Sequence, residues 1–308
     1  MNTQSHTDRT YSGLVSTLNS ILPLGVGVAV GVWIIWFVLN FPGIELTQKT
    51  SSLILLGAWI VLASVGARIC KPGLRDAALA GLMTSLIGLL ALGTELVAQP
   101  DPAQYAGGTV PLCPNAALIV LGYLAAGALI GALGTIFTGT TKPTRTKDTP
   151  WLSRMAIVVA CSYIPLLLIG GLVTSTESGM AVPGWPNPYG TSMFLYPLSL
   201  MAQPRIFLEH SHRLFGSMAG LATILLWLLT MLNPTARKKF GIWTTVLVLA
   251  VGLQGVLGGQ RVVLNNPYLG ALHGVFGQIV VAFAAVLALW MSPRYQSLTH
   301  TTITPSRK

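Results

Sequence analysis

Eight stretches of apolar residues recur along the chain, and each has about the length needed to cross a lipid bilayer. They cover residues 21–41, 52–67, 77–97, 116–138, 155–173, 206–232, 242–259 and 268–291. Only 8% of the residues are charged and the mean hydropathy is +0.68, which excludes an ordinary soluble protein of 308 residues. Because lipid offers no partner to backbone N–H and C=O groups, each span must be a helix. The sequence therefore predicts an all-α integral membrane protein with eight transmembrane helices.

Basic residues alternate between successive loops, and this alternation predicts the orientation of the helices. The basic loops and the C-terminal tail contain Arg68, Lys71 and Arg75, then Lys142, Arg145, Lys147 and Arg154, then Arg237, Lys238 and Lys239, and finally Arg294, Arg307 and Lys308. By the positive-inside rule, these loops and both termini are expected to be cytoplasmic. The net charge of +10 is therefore spread over the loops of a membrane protein and does not indicate nucleic-acid binding.

A polar, basic and proline-punctuated segment at residues 139–154 divides the spans into two groups of four. We place a domain boundary at about residue 150, which predicts one four-helix bundle at 1–150 and another at 151–308. The first contains no intramembrane histidine, and its Glu95 is best interpreted as an interfacial carboxylate. We find no recognisable site in this half, which leaves open whether it is a scaffold, a lipid-facing unit or half of a duplicated fold.

The sixth span carries four ionisable residues in close succession, Glu209, His210, His212 and Arg213. Such groups are costly inside a membrane and normally face a bundle interior, a cavity or a cofactor. At about 100° per residue, Glu209 and His212 lie on one face of a helix, whereas His210 and His212 point about 200° apart. We therefore expect His212 to act together with Glu209 and His210 to point elsewhere, with its role open.

The eighth span carries another intramembrane histidine, His273, and glycines flank it as they flank His212. Gly216 and Gly220 follow His212 at i+4 and i+8, which leaves a strip without side chains beside the imidazole. Both histidines lie about five or six residues into their spans, or roughly 8 to 9 Å below the outer surface. Two imidazoles at matched depth can ligate one iron from both sides of a porphyrin. A hydrogen-bonded packing role is the alternative for each histidine.

The longest outer loop begins with a distinctive sequence at 170–186, Gly-Gly-Leu-Val-Thr-Ser-Thr-Glu-Ser-Gly-Met-Ala-Val-Pro-Gly-Trp-Pro. Together with the segment 209–213, which fits an E-x-x-H-R pattern, and with His273, it resembles the heme A synthase family over about residues 155–291. Members of that family convert heme O to heme A for terminal oxidases. By position, the resemblance implies that Glu209 is the catalytic carboxylate and that His212 and His273 ligate heme iron.

The order of the two halves departs from the usual pattern of that family. In most members the substrate-oxidising half comes first, and the other half holds a second pair of histidines for a heme b cofactor. Here the matching half comes last, and the outer-loop cysteine pair of many bacterial members is missing, with Ala181 near one expected position. Since half-length members that form homodimers are known, the resemblance is compatible with one active half per chain and with a homodimer.

The resemblance implies a stepwise oxidation of a porphyrin methyl group to a formyl group in the inner (plasma) membrane. Glu209, one turn from His212, would abstract a proton or stabilise a cationic intermediate near the ring edge. The heme would be heme b, the substrate heme O, or both, and the expected partners are a heme O synthase or oxidase assembly factors. Arg205, Arg213 and Arg261 are expected near the outer side, where they can pair with propionates. Snorkelling to the interface explains Arg205 and Arg261 equally well.

Two other classes of function remain open at this stage. A non-enzymatic heme protein, either an electron carrier or a heme-handling factor for oxidase assembly, would need the same pair of histidine ligands. A transporter-like or scaffold protein would use Glu209 and the histidines as a proton relay and would need no porphyrin.

Overall fold

The computed structural model describes residues 6–105, 107–139 and 151–303, and these residues are predominantly helical. The helices are α1 (His6–Leu39), α2 (Gln48–Cys70), α3 (Leu74–Leu92), α4 (Ala116–Thr138), α5 (Trp151–Ser175), α6 (Pro204–Leu232), α7 (Pro234–Val263), α8 (Pro267–Trp290) and α9 (Pro293–Ile303). Helices α1 to α8 each contain a span long and apolar enough to cross a membrane, which confirms the predicted all-α, multi-pass fold. The short helix α9, in the tail, was not predicted.

Capping residues explain why several helices begin earlier than the apolar spans suggest. Helix α7 begins at Pro234 rather than at residue 242, because Asn233 Oδ1 accepts a hydrogen bond from the Ala236 N–H at 3.0 Å. Proline at the first helical position needs no hydrogen-bond acceptor there, and it opens α6 and α8 as well as α7. The connection between α6 and α7 is consequently a single residue, Asn233, which holds these helices side by side.

Helices α1 to α4 form one four-helix group, with α1 and α4 each packed against both α2 and α3. The α3–α4 contact is made by small residues, because a Cβ atom on Gly81 or Gly131 would overlap the backbone of the facing helix. Such close approach of backbones is how helices associate in lipid, where the hydrophobic effect gives little driving force between them. Among the described residues of these four helices, no group of three or more His, Cys, Asp or Glu side chains is placed to hold a metal ion.

Helices α5 to α8 form the second four-helix group, in which each helix packs against its two neighbours around a ring. Helix α1 also packs against α5 and α6, and its buried Trp33 meets Phe215 edge to face at a centroid distance of 5.6 Å. One apolar core therefore runs from α1 into the second group. The predicted boundary near residue 150 falls between α4 and α5, in residues 140–150, which lie outside the described residues together with Lys142, Arg145 and Lys147. Independent domains on either side of it remain a prediction.

Candidate functional site

The imidazole rings of His212 and His273 face each other inside the α5–α8 group. Their centroids are 6.3 Å apart and their planes are nearly perpendicular, at 89°. Two imidazoles that bind one metal ion from opposite sides have centroids about 6 Å apart, because each metal–nitrogen bond is about 2 Å long. The spacing of the rings therefore fits a single metal ion between them.

The set of donor atoms indicates which kind of metal group the pair would suit. Among the described residues, no group of three or more His, Cys, Asp or Glu side chains is placed to hold a metal ion. Structural and catalytic zinc sites take three or four protein ligands, so two imidazoles alone leave a bare ion short of donors. A porphyrin supplies four nitrogens of its own and leaves two axial positions for protein ligands. The residues present thus fit a heme better than a free ion.

A backbone carbonyl on the neighbouring helix orients the His273 ring. Its Nδ1 atom lies 3.1 Å from the Gln254 carbonyl oxygen, and since a carbonyl only accepts, Nδ1 must carry the hydrogen. This hydrogen bond leaves Nε2 unprotonated, which is the state that metal-bound histidines require. Gly258 of α7 lies directly beside the ring, where a Cβ atom would come within 2.8 Å of His273 Cε1.

His212 lies in a parallel setting against helix α5. Gly170 lies beside the His212 ring as Gly258 lies beside the His273 ring. A Cβ atom at Gly170 would come within 2.9 Å of His212 Cε1. The His212 Nδ1 atom is buried and has no partner in hydrogen-bonding geometry among the described residues, although the Leu166 backbone lies beside the ring. Each imidazole therefore rests on a glycine of the preceding helix and lies beside a backbone carbonyl one turn before that glycine.

Glu209 is buried between two arginines. Its Oε1 atom accepts a hydrogen bond from Arg213 Nε at 3.1 Å, while its Oε2 atom lies 3.9 Å from Arg261 Nη2. Oε2 has no hydrogen-bond partner among the described residues. Burying a carboxylate is costly unless it is paired, and here two cations share one anion. The carboxylate is therefore held through Oε1, while Oε2 lies within ion-pair distance of Arg261 and accepts no hydrogen bond among the described residues.

The same two arginines hold the long outer loop over the site. Arg213 donates to the carbonyl oxygens of Val182 at 2.6 Å and Gly184 at 2.8 Å, and Arg261 donates to that of Gly179 at 2.7 Å. Gly179 lies so close to the guanidinium that any side chain there would overlap it. The glycines of the 170–186 segment thus let the loop backbone approach and cover the outer end of the bundle.

The structure places His210 away from the imidazole pair, on the side of α6 that faces the outer loop. Its ring is fully buried and lies against Tyr196, with centroids 4.7 Å apart. Burial also raises the pKa of Tyr196, so this phenol stays neutral over the physiological range. His210 therefore packs against an aromatic side chain and does not reach His273.

The predicted arginines have different surroundings. Arg213 directs its donors to Glu209 and to the loop carbonyls, with only 8% of its side chain exposed, whereas 19% of the Arg261 side chain is exposed. Arg205 is exposed in the first turn of α6. A cofactor contact for Arg213 remains a prediction, and the structure gives its guanidinium other partners. The sequence predicts no role for Gln254 or Gly258, because a lone amide and a glycine within an apolar span are weak signals. Gly170 opens the 170–186 sequence, but its contact with His212 was not predicted.

The fold and the site together define a class: a multi-pass membrane protein with two facing imidazoles and a buried carboxylate inside one four-helix group. A family model described as cytochrome oxidase assembly protein matches residues 153–306, which is half of the chain and covers all but the first two residues of α5 and the whole of α6 to α8. The chain belongs to this family, which confirms the resemblance seen in the sequence.

Curated relatives of the chain are heme A synthases. The chain is 26% identical over 157 residues to the heme A synthase of Shewanella oneidensis, a match that covers 47% of this chain and 46% of the relative. It is 35% identical over 142 residues to that of Geobacillus kaustophilus, covering 45% and 42%, and 30% identical over 142 residues to that of Shouchella clausii, covering 45% and 44%. The match therefore spans less than half the length of these relatives. No solved structure matches the chain.

Proposed function

We propose that the protein is a heme A synthase-like oxidoreductase that converts the methyl group of heme O to the formyl group of heme A. The observation that carries the proposal is the facing pair His212 and His273, with Glu209 one turn from His212 on the same helix. All three residues lie in the half that matches the cytochrome oxidase assembly family, and the curated relatives are heme A synthases.

His212 and His273 would hold the heme by binding its iron. When bound, the heme would supply a redox-active iron and, as substrate, the methyl group. Oxidation of that methyl to a formyl removes four electrons, which an external electron acceptor would take up, and adds one oxygen atom from water or dioxygen. The protein contributes orientation, since Gly170 and Gly258 set the position of each ring on its neighbouring helix. The loop held by the two arginines restricts the access of water from the outer side.

Glu209 would accept a proton released when the methyl group is oxidised. Its Oε1 atom already accepts from Arg213, so Oε2, which has no hydrogen-bond partner among the described residues, would take that proton. The ion pair fixes the carboxylate without blocking this oxygen. Arg261, which is less enclosed than Arg213, suits a heme propionate better, because a bidentate carboxylate contact needs a guanidinium with room beside it.

The proposal is tested by making the protein in cells that produce heme O and identifying the extracted heme by mass. Heme A in place of heme O is the expected result. Recovery of unchanged heme O with a low-spin heme in the purified protein would favour the alternative, a non-enzymatic heme carrier or assembly factor. A purified protein that takes up no porphyrin would leave only the proton-relay function.

The location and partners proposed with this function are the inner (plasma) membrane, a heme O synthase that delivers the substrate, and an oxidase that receives the product. One imidazole pair was found in the described residues, so we also propose one heme per chain and a homodimer that brings two such sites together. The mass of the protein in mild detergent, with the ratio of heme to polypeptide, checks both points. A monomer carrying two hemes would contradict them.

Gly170→Val should weaken heme binding while Gly171→Val should not. A side chain at Gly170 would come within 2.9 Å of His212 Cε1, whereas nothing lies within 4 Å of a Cβ atom at Gly171. Since overpacking costs about 1–3 kcal/mol, we expect a loss of about tenfold or more in heme affinity from the first variant. Titration with heme, followed by low-spin absorption, measures this. Equal affinities for the two variants would show that Gly170 does not set the position of His212.

A further inference from the structure

We infer that Gln254 positions His273, and that this makes His273 the more firmly held of the two heme ligands. The inference rests on the proposed binding of heme by His212 and His273. Gln254 lies on the inner face of α7, one turn before Gly258, which abuts the His273 ring. Gln254 belongs neither to the ionisable cluster of α6 nor to the outer loop, so the contacts of those groups do not explain a half-buried amide at this position.

Gln254 and His273 are joined by a reciprocal pair of hydrogen bonds. The Gln254 carbonyl accepts from His273 Nδ1 at 3.1 Å, and the Gln254 side-chain Nε2 donates to the His273 backbone carbonyl at 2.7 Å. The amide orientation is unambiguous, because its oxygen could not lie 2.7 Å from another carbonyl oxygen without repulsion. One hydrogen bond sets the ring, and the other fixes α7 against α8 at the level of that ring.

Helix α8 has a glycine, Gly277, at the point where it contacts this amide. Gly277 follows His273 by one turn, and a Cβ atom there would come within 2.7 Å of Gln254 Nε2. Any larger residue would displace the amide from the carbonyl that it binds. The Gln254 Oε1 atom is buried without a partner among the described residues, so the amide makes its contact through Nε2.

No such pair holds His212. At the corresponding place on α5 stand Leu166 and, one turn later, Gly170, and the side chain of leucine cannot donate a hydrogen bond. The Leu166 backbone lies against the His212 ring as the Gln254 backbone lies against the His273 ring, so what His212 lacks is the side-chain amide bond to the neighbouring helix. The two ligands are therefore unequal, because the amide of Gln254 ties α7 to the His273 backbone and the leucine at position 166 makes no such bond to the His212 backbone.

The difference in how firmly the two histidines hold heme is measured by heme transfer. The purified, heme-loaded variants are mixed with an excess of apomyoglobin, and the rate of heme loss is followed. His212→Ala leaves heme on His273, and His273→Ala leaves it on His212. We expect the His212→Ala protein to release heme about fivefold more slowly or better, the ratio that one neutral hydrogen bond corresponds to. Equal rates, or slower release from His273→Ala, would overturn the inference.

The role of Gln254 is tested in the His212→Ala protein, in which only His273 holds the heme. Adding Gln254→Leu removes the donor, and adding Gly277→Ala displaces the intact amide, so either change should speed heme release about fivefold. Gly274→Ala and Gln278→Leu are matched controls, since nothing lies within 4 Å of a Cβ atom at Gly274 and Gln278 is exposed. If the Gln254→Leu protein does not fold, the Gly277→Ala protein still tests the same contact.

Outcomes for this inference and for the proposed function are distinguishable. Wild-type protein without low-spin heme would contradict heme binding itself. Wild-type protein with low-spin heme, together with unchanged release rates in both the Gln254→Leu and Gly277→Ala proteins, would leave the proposed function standing. It would show that Gln254 does not position His273.

Discussion

His212→Ala and His273→Ala should each abolish the low-spin absorption of a bis-histidine heme. Each substitution removes one of two imidazoles that face each other at 6.3 Å, and alanine offers no atom that could replace the lost nitrogen. Because a low-spin spectrum requires both axial ligands, we expect loss of nearly all of this signal in either variant, even where some heme remains bound through the other histidine. Absorption spectra of the oxidised and reduced proteins, purified in mild detergent, measure it.

His210→Ala is the matched control for these two variants. His210 is as deeply buried as its neighbours, but its ring lies against Tyr196 rather than against His273. Its removal should lower stability through lost packing and leave the low-spin absorption in place. Equal loss of heme from all three variants would show that the imidazoles of His210 and His212 are not functionally separate.

The separation of these two histidines could be predicted from the sequence because it depends only on helical geometry. A helix turns about 100° per residue, so side chains two positions apart must point to different sides. The pairing of His212 with His273 also depends on few assumptions, namely the direction and starting points of two membrane spans. The eight membrane spans could also be predicted from the sequence, since a long apolar stretch is a strong signal for a membrane helix.

Contacts between helices could not be predicted from the sequence in this way. The bond from Gln254 to the His273 carbonyl depends on how α7 is rotated and shifted against α8, and no periodicity in either helix sets that relation. Arg213 binds Glu209 and the carbonyls of a long loop, contacts that the helical periodicity of α6 does not predict, and its contact with a propionate stays a prediction. The path of such a loop depends on backbone contacts that residue types do not reveal.

The arginines also explain why the buried carboxylate is sensitive to substitution. Removing one partner of a buried ion pair leaves an uncompensated charge, which commonly costs about 3–5 kcal/mol. Deleting Glu209 altogether would leave Arg213 and Arg261 unpaired beside each other and would disturb the loop that they hold. A test of its chemistry therefore has to keep the shape of the side chain and its hydrogen bond to Arg213.

Glu209→Gln meets this condition and should retain heme binding while losing conversion of heme O. The glutamine oxygen can still accept from Arg213 Nε, but the amide has no basic oxygen to take a proton in place of Oε2. Since a positioned general base typically contributes about 10²- to 10⁴-fold, we expect formyl heme to fall below detection in cells that make heme O. Mass analysis of extracted heme, together with the low-spin spectrum of the purified variant, measures both properties.

Glu177→Gln provides the control. Glu177 is an exposed residue of the outer loop that follows α5, so its substitution removes one negative charge outside the site. It should convert heme O as the wild type does. Loss of heme from Glu209→Gln would mean that the carboxylate has a structural role through its two arginines rather than a chemical one. Normal amounts of heme A from this variant would exclude Glu209 as the proton acceptor. The reactive group would then have to be sought elsewhere along the faces of α6 and α8 that meet between His212 and His273.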